Sequence, residues 1–279
     1  MSRRIPDAKL PISKKWLVDG FCGYARRMVA KQFISFAVQK DDHDLSRLDA
    51  STPIVVYANH ASWWDPICAM LLRQSIFPTR ILYAPIDAEA LQHYRILAQL
   101  GFYGLQLSSH AGAAAFLTTT KRILETKNAS VWITPEGRFA DVRDHSASLM
   151  PGLAHLASHV SGVAFLPLAL EYAFWNESRP QVFAKIGKAI TDQQPEYAHL
   201  NKADWNSLLT QCLRQNQTEL AQSVIARDAE QFEYIIASRP LRLGWYDYFR
   251  SWAARWEGKK FDPRHDVTTS RRKQSQRTE

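Results

Sequence analysis

Apolar positions along the chain follow two periods that alternate. Pro53–Ala58 is a short run rich in β-branched and aromatic residues, and it predicts a buried strand. Ser130–Thr134 reads the same way, and Arg80–Ala84, Val163–Glu171 and Val182–Ile186 are further strands. Between them Ile67–Leu72, Ala88–Leu100, Ala111–Glu125 and Gly152–His159 carry helical spacing. Such alternation predicts an α/β fold with a mixed, mainly parallel sheet flanked by helices. From Lys202 to Ala237 the period is helical throughout, with Trp205, Leu208, Leu209, Cys212, Leu213, Leu220, Val224 and Ile225 forming an apolar stripe. This predicts a helical C-terminal appendage of one or two packing helices.

The ends differ from the middle. Residues 1–40 hold nine Lys/Arg against two Asp/Glu, and residues 239–279 hold eleven against five, so a total of +8 leaves the intervening body at −5. Basic ends on an acidic body point to an anionic surface as partner. Aromatics favour a membrane for that surface: Trp245, Tyr248, Phe249, Trp252 and Trp256 fall at helical spacing among Arg250, Arg255, Lys259 and Lys260. This is the composition of an in-plane interfacial helix, the competing interpretation being a stripe packed on the domain. Trp16–Val38 is a second mixed apolar and basic segment, too charged to span a bilayer. The expected organisation is a basic amphipathic N-terminal segment (1–48), a core (49–190), a helical appendage ending in the Trp/basic segment (191–261) and a disordered basic tail (262–279). With no long apolar run and no signal-peptide pattern, the expected location is cytoplasmic, peripherally attached to the membrane.

Two strings carry chemistry, and each follows a predicted strand. Asn59-His60-Ala61-Ser62-Trp63-Trp64-Asp65 leaves the first strand, and Pro135-Glu136-Gly137-Arg138 leaves the strand at 130–134. Loops at the carboxyl ends of strands in open α/β sheets are where ligands bind. On a helix, His60 and Asp65 would lie roughly 140° apart, so only a turn joins them. An Asp65 carboxylate bonded to one imidazole nitrogen leaves the other as a base able to deprotonate a substrate hydroxyl.

In these strings the chain resembles the glycerolipid acyltransferases, the family of lysophosphatidic acid and lysophospholipid acyltransferases. The His-four-residues-Asp motif is intact, and Ala164-Phe165-Leu166-Pro167-Leu168-Ala169-Leu170 looks like the family's apolar-proline block. The resemblance covers roughly residues 50 to 190. It implies an acyl thioester donor, on coenzyme A or acyl carrier protein, and a lipid acceptor, with lysophosphatidic acid or another lysophospholipid favoured. It also implies His60 as catalytic base, Asp65 as its partner, and Glu136 and Gly137 in the block that binds the acceptor's phosphate; Asn59, Arg138 and Arg143 join them as candidate substrate-binding residues of this sequence. Departures bear on the acceptor. Arg138 and Phe139 stand where the family has threonine and arginine, Leu107 where it has arginine, and Met150 where it has lysine. Each charge-assisted phosphate contact so removed is worth about 1.5–3 kcal/mol. Arg138 and Arg143 are candidate replacements, and a sugar, an amino lipid or another hydroxylated lipid stays open as acceptor.

Other classes find less support. Cys22, Cys68 and Cys212 form neither a disulfide framework nor a metal-ligand spacing, and they fit a reducing compartment. A glycine-rich phosphate loop, a nucleotide fingerprint, a His-Glu zinc motif and a serine elbow are all missing, so neither cofactor nor metal is expected. A non-catalytic lipid-binding member of the same fold is the first alternative, motivated by the departures above. Nucleic-acid binding through the basic ends is the second, with no recognition motif behind it, and nucleic acid is not an expected partner.

Overall fold

The structure, a computed structural model, describes residues 10–40, 48–49, 51–106, 109–237 and 255. In chain order these form α1 (Lys15–Gln32), β1 (Phe36–Gln39), β2 (Ile54–Ala58), α2 (Asp65–Ile76), β3 (Ile81–Asp87), α3 (Ala88–His93), β4 (Phe102–Leu105), α4 (His110–Leu124), β5 (Ala129–Ile133), α5 (Pro151–Ala157), β6 (Ala164–Ala173), β7 (Gln181–Ile186), β8 (Ile190–Thr191), α6 (Lys202–Ala226) and β9 (Phe232–Ile236). The strands join in one sheet of order β4-β3-β5-β2-β6-β7-β1-β9, with β8 beside β6. From β4 to β6 neighbours are parallel, β6 and β7 are antiparallel, β7 and β1 parallel, and β1 and β9 antiparallel. This is the mixed, mainly parallel architecture that the alternating periods predict.

β2 and β5 are buried along their whole length because both sheet faces are covered, which is why their sequences are continuously apolar rather than alternating. Ile54, Val56 and Ala58 pack with Val18 and Cys22 of α1 and Cys68 and Leu71 of α2. Val55 and Tyr57 face the other layer, with Ile123 of α4, Leu153 of α5 and Leu209 and Leu213 of α6. The chain leaves β2 for β3 through α2 on one face and comes back through α4 and α5 on the other, placing β5 and β6 on either side of β2. The carboxyl end of β2 is therefore the topological switch point, where such sheets open a crevice.

In β6, Pro167 pairs with Tyr57 of β2, and on the other side the partner changes there from β8 at Ala164 and Phe165 to β7 from Leu168 on. A residue without an N–H is tolerated mid-strand where the ladder changes hands.

Three expectations differ from the structure. The helical period stops at Ala226, where Arg227 turns left-handed at φ 54°, and Phe232–Ile236 is a strand on β1 rather than more helix. Pairing with a strand nearly 200 residues earlier decided that segment, beyond the reach of a local pattern. The segment 88–100 divides at Tyr94 into α3 and a 3-10 turn (Arg95–Gln99). The basic N-terminal segment supplies α1 and β1, and Arg26 donates to the Ile235 carbonyl at 2.7 Å, so one face of α1 packs on the sheet. The Trp/basic stripe at 241–261 lies outside the described residues except for Arg255, as does the tail at 262–279. Among the described residues no helix is long and apolar enough to cross a membrane, and no group of three His, Cys, Asp or Glu is placed to hold a metal.

Candidate active site

His60 leaves β2 two residues past its end, held by its neighbours. Asn59 is buried, its Nδ2 donating to the Leu170 carbonyl (3.0 Å) and its Oδ1 accepting from the Leu170 N–H (2.8 Å). The side chain thus acts as one more rung between β2 and β6, its amide engaged by backbone rather than turned to an acceptor. A turn follows, closed by the Asp65 N–H on the Ser62 carbonyl (3.1 Å), and α2 starts at Asp65-Pro66 with proline in its first turn, where no N–H is required.

That turn brings together the residues a helix would have kept apart. The Asp65 carboxylate lies 2.8 Å from His60 Nδ1 through Oδ2, which also accepts the Ser62 N–H (2.9 Å), while Oδ1 accepts the Tyr172 hydroxyl (2.6 Å). Facing an acceptor, Nδ1 carries the imidazole hydrogen and Nε2 keeps its lone pair. His60 is 19% exposed at its side chain and Asp65 2%, so the partner is dry while the imidazole reaches solvent.

The loop after β5 clamps the other side. The Glu136 Oε2 accepts the His60 N–H (3.0 Å), the Ala140 N–H donates to the His60 carbonyl (2.9 Å), and the Phe139 ring lies 4.2 Å from the imidazole, centroid to centroid. Gly137 sits at φ 64°, and a Cβ there would meet Met150 Sδ at 2.6 Å. Both the left-handed turn and the packed methionine favour glycine. Glu136 is buried and binds backbone and a cation rather than facing an open pocket.

The arginines of this loop have local partners. Arg143 makes a bidentate pair with Asp141 (2.8 and 2.7 Å), and Arg138 lies 3.6 Å from Asp144. The Arg143 hydrogen bonds hold the Asp141 carboxyl well below the usual carboxylate range. Met150, at the position aligned with a family lysine, packs an apolar side chain over Gly137. Leu107 lies outside the described residues.

Two residues of this frame were missed from the sequence. Tyr172 continues the β6 face of Leu166, Leu168 and Leu170, and period 2 could have placed it over α2. Burial, then Cys68 and Asp65, push its hydroxyl far above an ordinary tyrosine, so it remains a donor. Burial likewise raises the Cys68 thiol to about 12. Arg214 of α6 binds Glu136 Oε1 at 2.7 Å, and nothing local signals it.

Residues 39–171 match the acyltransferase family model. That stretch, a little under half of the chain, is what the chain shares with the acyltransferases. No curated protein matches the sequence. Among solved structures, the chain is similar to PlsC, the 1-acyl-sn-glycerophosphate (LPA) acyltransferase of Thermotoga maritima, at 12% identity and a TM-score of 0.50, over 74% of this chain and 80% of that one. That likeness concerns the fold. The family-matched residues contain β2, β5 and both loops around His60, whereas Tyr172 and Arg214 lie beyond them.

Proposed function

We propose that the protein is an O-acyltransferase that moves a fatty acyl chain from a thioester, on coenzyme A or acyl carrier protein, to the hydroxyl of a lipid acceptor. The observation that carries this is the 2.8 Å contact between His60 Nδ1 and Asp65 at the switch point of the sheet. His60 Nε2 takes the proton of the acceptor hydroxyl as its oxygen attacks the thioester carbonyl. The tetrahedral intermediate collapses by breaking the carbon–sulfur bond, and the departing thiolate receives the proton from the imidazolium. Asp65 orients the ring and stabilises its charge during the step. Resemblance to the lysophospholipid acyltransferases favours lysophosphatidic acid or another lysophospholipid as acceptor. The local pairing of Arg138 and Arg143 and the apolar Met150 favour a second reading, an acceptor without phosphate.

Attachment to an anionic membrane belongs to the same proposal. Residues 10–16 run beside 94–101, joined by the Lys14 N–H on the Gln99 carbonyl (2.9 Å) and the Gly101 N–H on the Ile12 carbonyl (3.1 Å). Leu10, Ile12, Trp16, Tyr94 and Ile96 are exposed on this strip, with Lys14, Lys15 and Arg95 among them. Exposed apolar groups rimmed by cations suit a bilayer surface. Flotation with anionic but not zwitterionic vesicles is the expected result, and no flotation with anionic vesicles removes this part of the reading.

The test of the activity offers a labelled acyl thioester to a panel of lysophosphatidic acid, lysophospholipids, aminolipids and glycolipids. Product is expected with the wild type and a loss of about 10²–10⁴-fold with His60→Ala. Wild-type rates from His60→Ala protein would remove the mechanism. The preferred acceptor decides between the phosphate-bearing and phosphate-free readings.

A further inference from the structure

Glu136 uses its two oxygens differently. Oε2 accepts the backbone N–H of His60 (3.0 Å), and Oε1 accepts Arg214 Nη1 (2.7 Å) from α6, a helix outside the family-matched residues. The pair is dry, with side-chain exposures of 11% for Arg214 and 1% for Glu136. Arg214 also donates through Nη1 to Gln217 Oε1 (2.7 Å) and through Nη2 to the Ala147 carbonyl, so one guanidinium holds the loop after β5 at positions 136 and 147. A planar fork of fixed donors is suited to this, and a flexible ammonium is less so.

The neighbours of Arg214 fix the helix that carries it. Gln217 Nε2 donates to the Val142 carbonyl (3.3 Å), a third point on the same loop, and Asn216 Nδ2 donates to the carbonyls of Pro167 (3.2 Å) and Lys185 (2.8 Å) in the sheet. Asn201 and Asp204 close a capping box that fixes where α6 begins. The shortest hydrogen-bonded route from the guanidinium to His60 runs through the Glu136 carboxylate to the His60 N–H.

We propose that Arg214 is a positioning residue for His60, acting through Glu136, and that α6 is accordingly part of the active-site unit rather than an appendage to it. The proposal rests on His60 being the base, and the test includes a readout that needs no turnover.

The experiment uses the full-length protein, labelled with ¹⁵N, and three variants: Arg214→Met, Glu136→Gln and both together. The backbone amide proton of His60 is followed by NMR, and kcat and KM by acyl transfer. In Arg214→Met the His60 amide is expected to move upfield as its hydrogen bond lengthens, with kcat falling about 10- to 100-fold and KM little changed, the pattern of a displaced base. Because Arg214 acts through Glu136, the double variant should be no slower than Glu136→Gln alone. A folded Arg214→Met protein with a wild-type amide shift and kcat overturns the proposal, as do additive losses in the double variant. Should Arg214→Met not fold, the double variant buries no lone charge, and its comparison with Glu136→Gln decides. An inactive wild-type protein would remove the acyl-transfer reading, while the amide shift would still report on the clamp.

Discussion

Two arginine–carboxylate pairs touch the loop after β5 at the same closest distance, 2.7 Å, and differ in nearly everything else. Arg143 and Asp141 are two residues apart, with side chains 86% and 52% exposed. Arg214 and Glu136 are 78 residues apart and 11% and 1% exposed. Water screens the first pair and can replace either partner, so its geometry is that of a local turn. The second pair has no such substitute, and removing one charge strands the other in a dry site. Burial, rather than contact distance, ranks these pairs.

The largest test of this contrast is stability at the buried pair. Arg214→Met should cost about 3–5 kcal/mol in denaturant unfolding, because Glu136 is left buried with only the His60 N–H as partner. A loss no larger than that of a surface substitution would place Glu136 in contact with water and undo the comparison.

An intermediate effect is expected at Tyr172, whose buried hydroxyl donates to Asp65. Tyr172→Phe removes a hydrogen bond to a charged acceptor, worth about 1.5–3 kcal/mol. It also changes the alkaline limb of stability. Burial raises Tyr172 above its ordinary value of 10.0 and Cys68 from 9.0 to about 12. Groups whose folded values are raised contribute stability that is whole below the unfolded value and is lost as pH rises. Wild-type stability should therefore decline from about pH 9 to 12, and Tyr172→Phe combined with Cys68→Ala should flatten that decline. Identical slopes for the two proteins would show that neither group is buried as described.

The smallest effect belongs to the exposed pair. Arg143→Ala should leave the thermal midpoint within error of wild type, while the Asp141 carboxyl, followed by NMR, titrates at higher pH once its hydrogen bonds are gone. A drop of several degrees would give the exposed pair a structural weight its solvation denies.

Legibility followed the range of the interactions. The strand at 53–58 and that at 130–134 could be read because burial on both faces leaves an unbroken apolar run. The 60–65 turn was anticipated only as a requirement, since six residues can be closed in several ways. Arg214 was invisible for a definite reason. It opens the polar run Arg214-Gln215-Asn216-Gln217 between Leu213 and Leu220, and polar runs on amphipathic helices normally mark the solvent face. Here Asn216 and Gln217 are buried because three carbonyls, at 142, 167 and 185, face the helix and need donors. β9 was misread as helix for a similar reason: its partner β1 lies at the far end of the chain.

By itself, then, the sequence determined the period of the central strands and the helices between them, the mainly parallel sheet those periods require, and which residue types stand at the carboxyl ends of β2 and β5. These follow from short-range rules of burial and backbone geometry. Tertiary structure decided which carboxylate faces the imidazole and which its backbone, and that an arginine from the last long helix stands behind Glu136. A buried charge is tolerated only where a partner meets it, and the partner's place along the chain is left free.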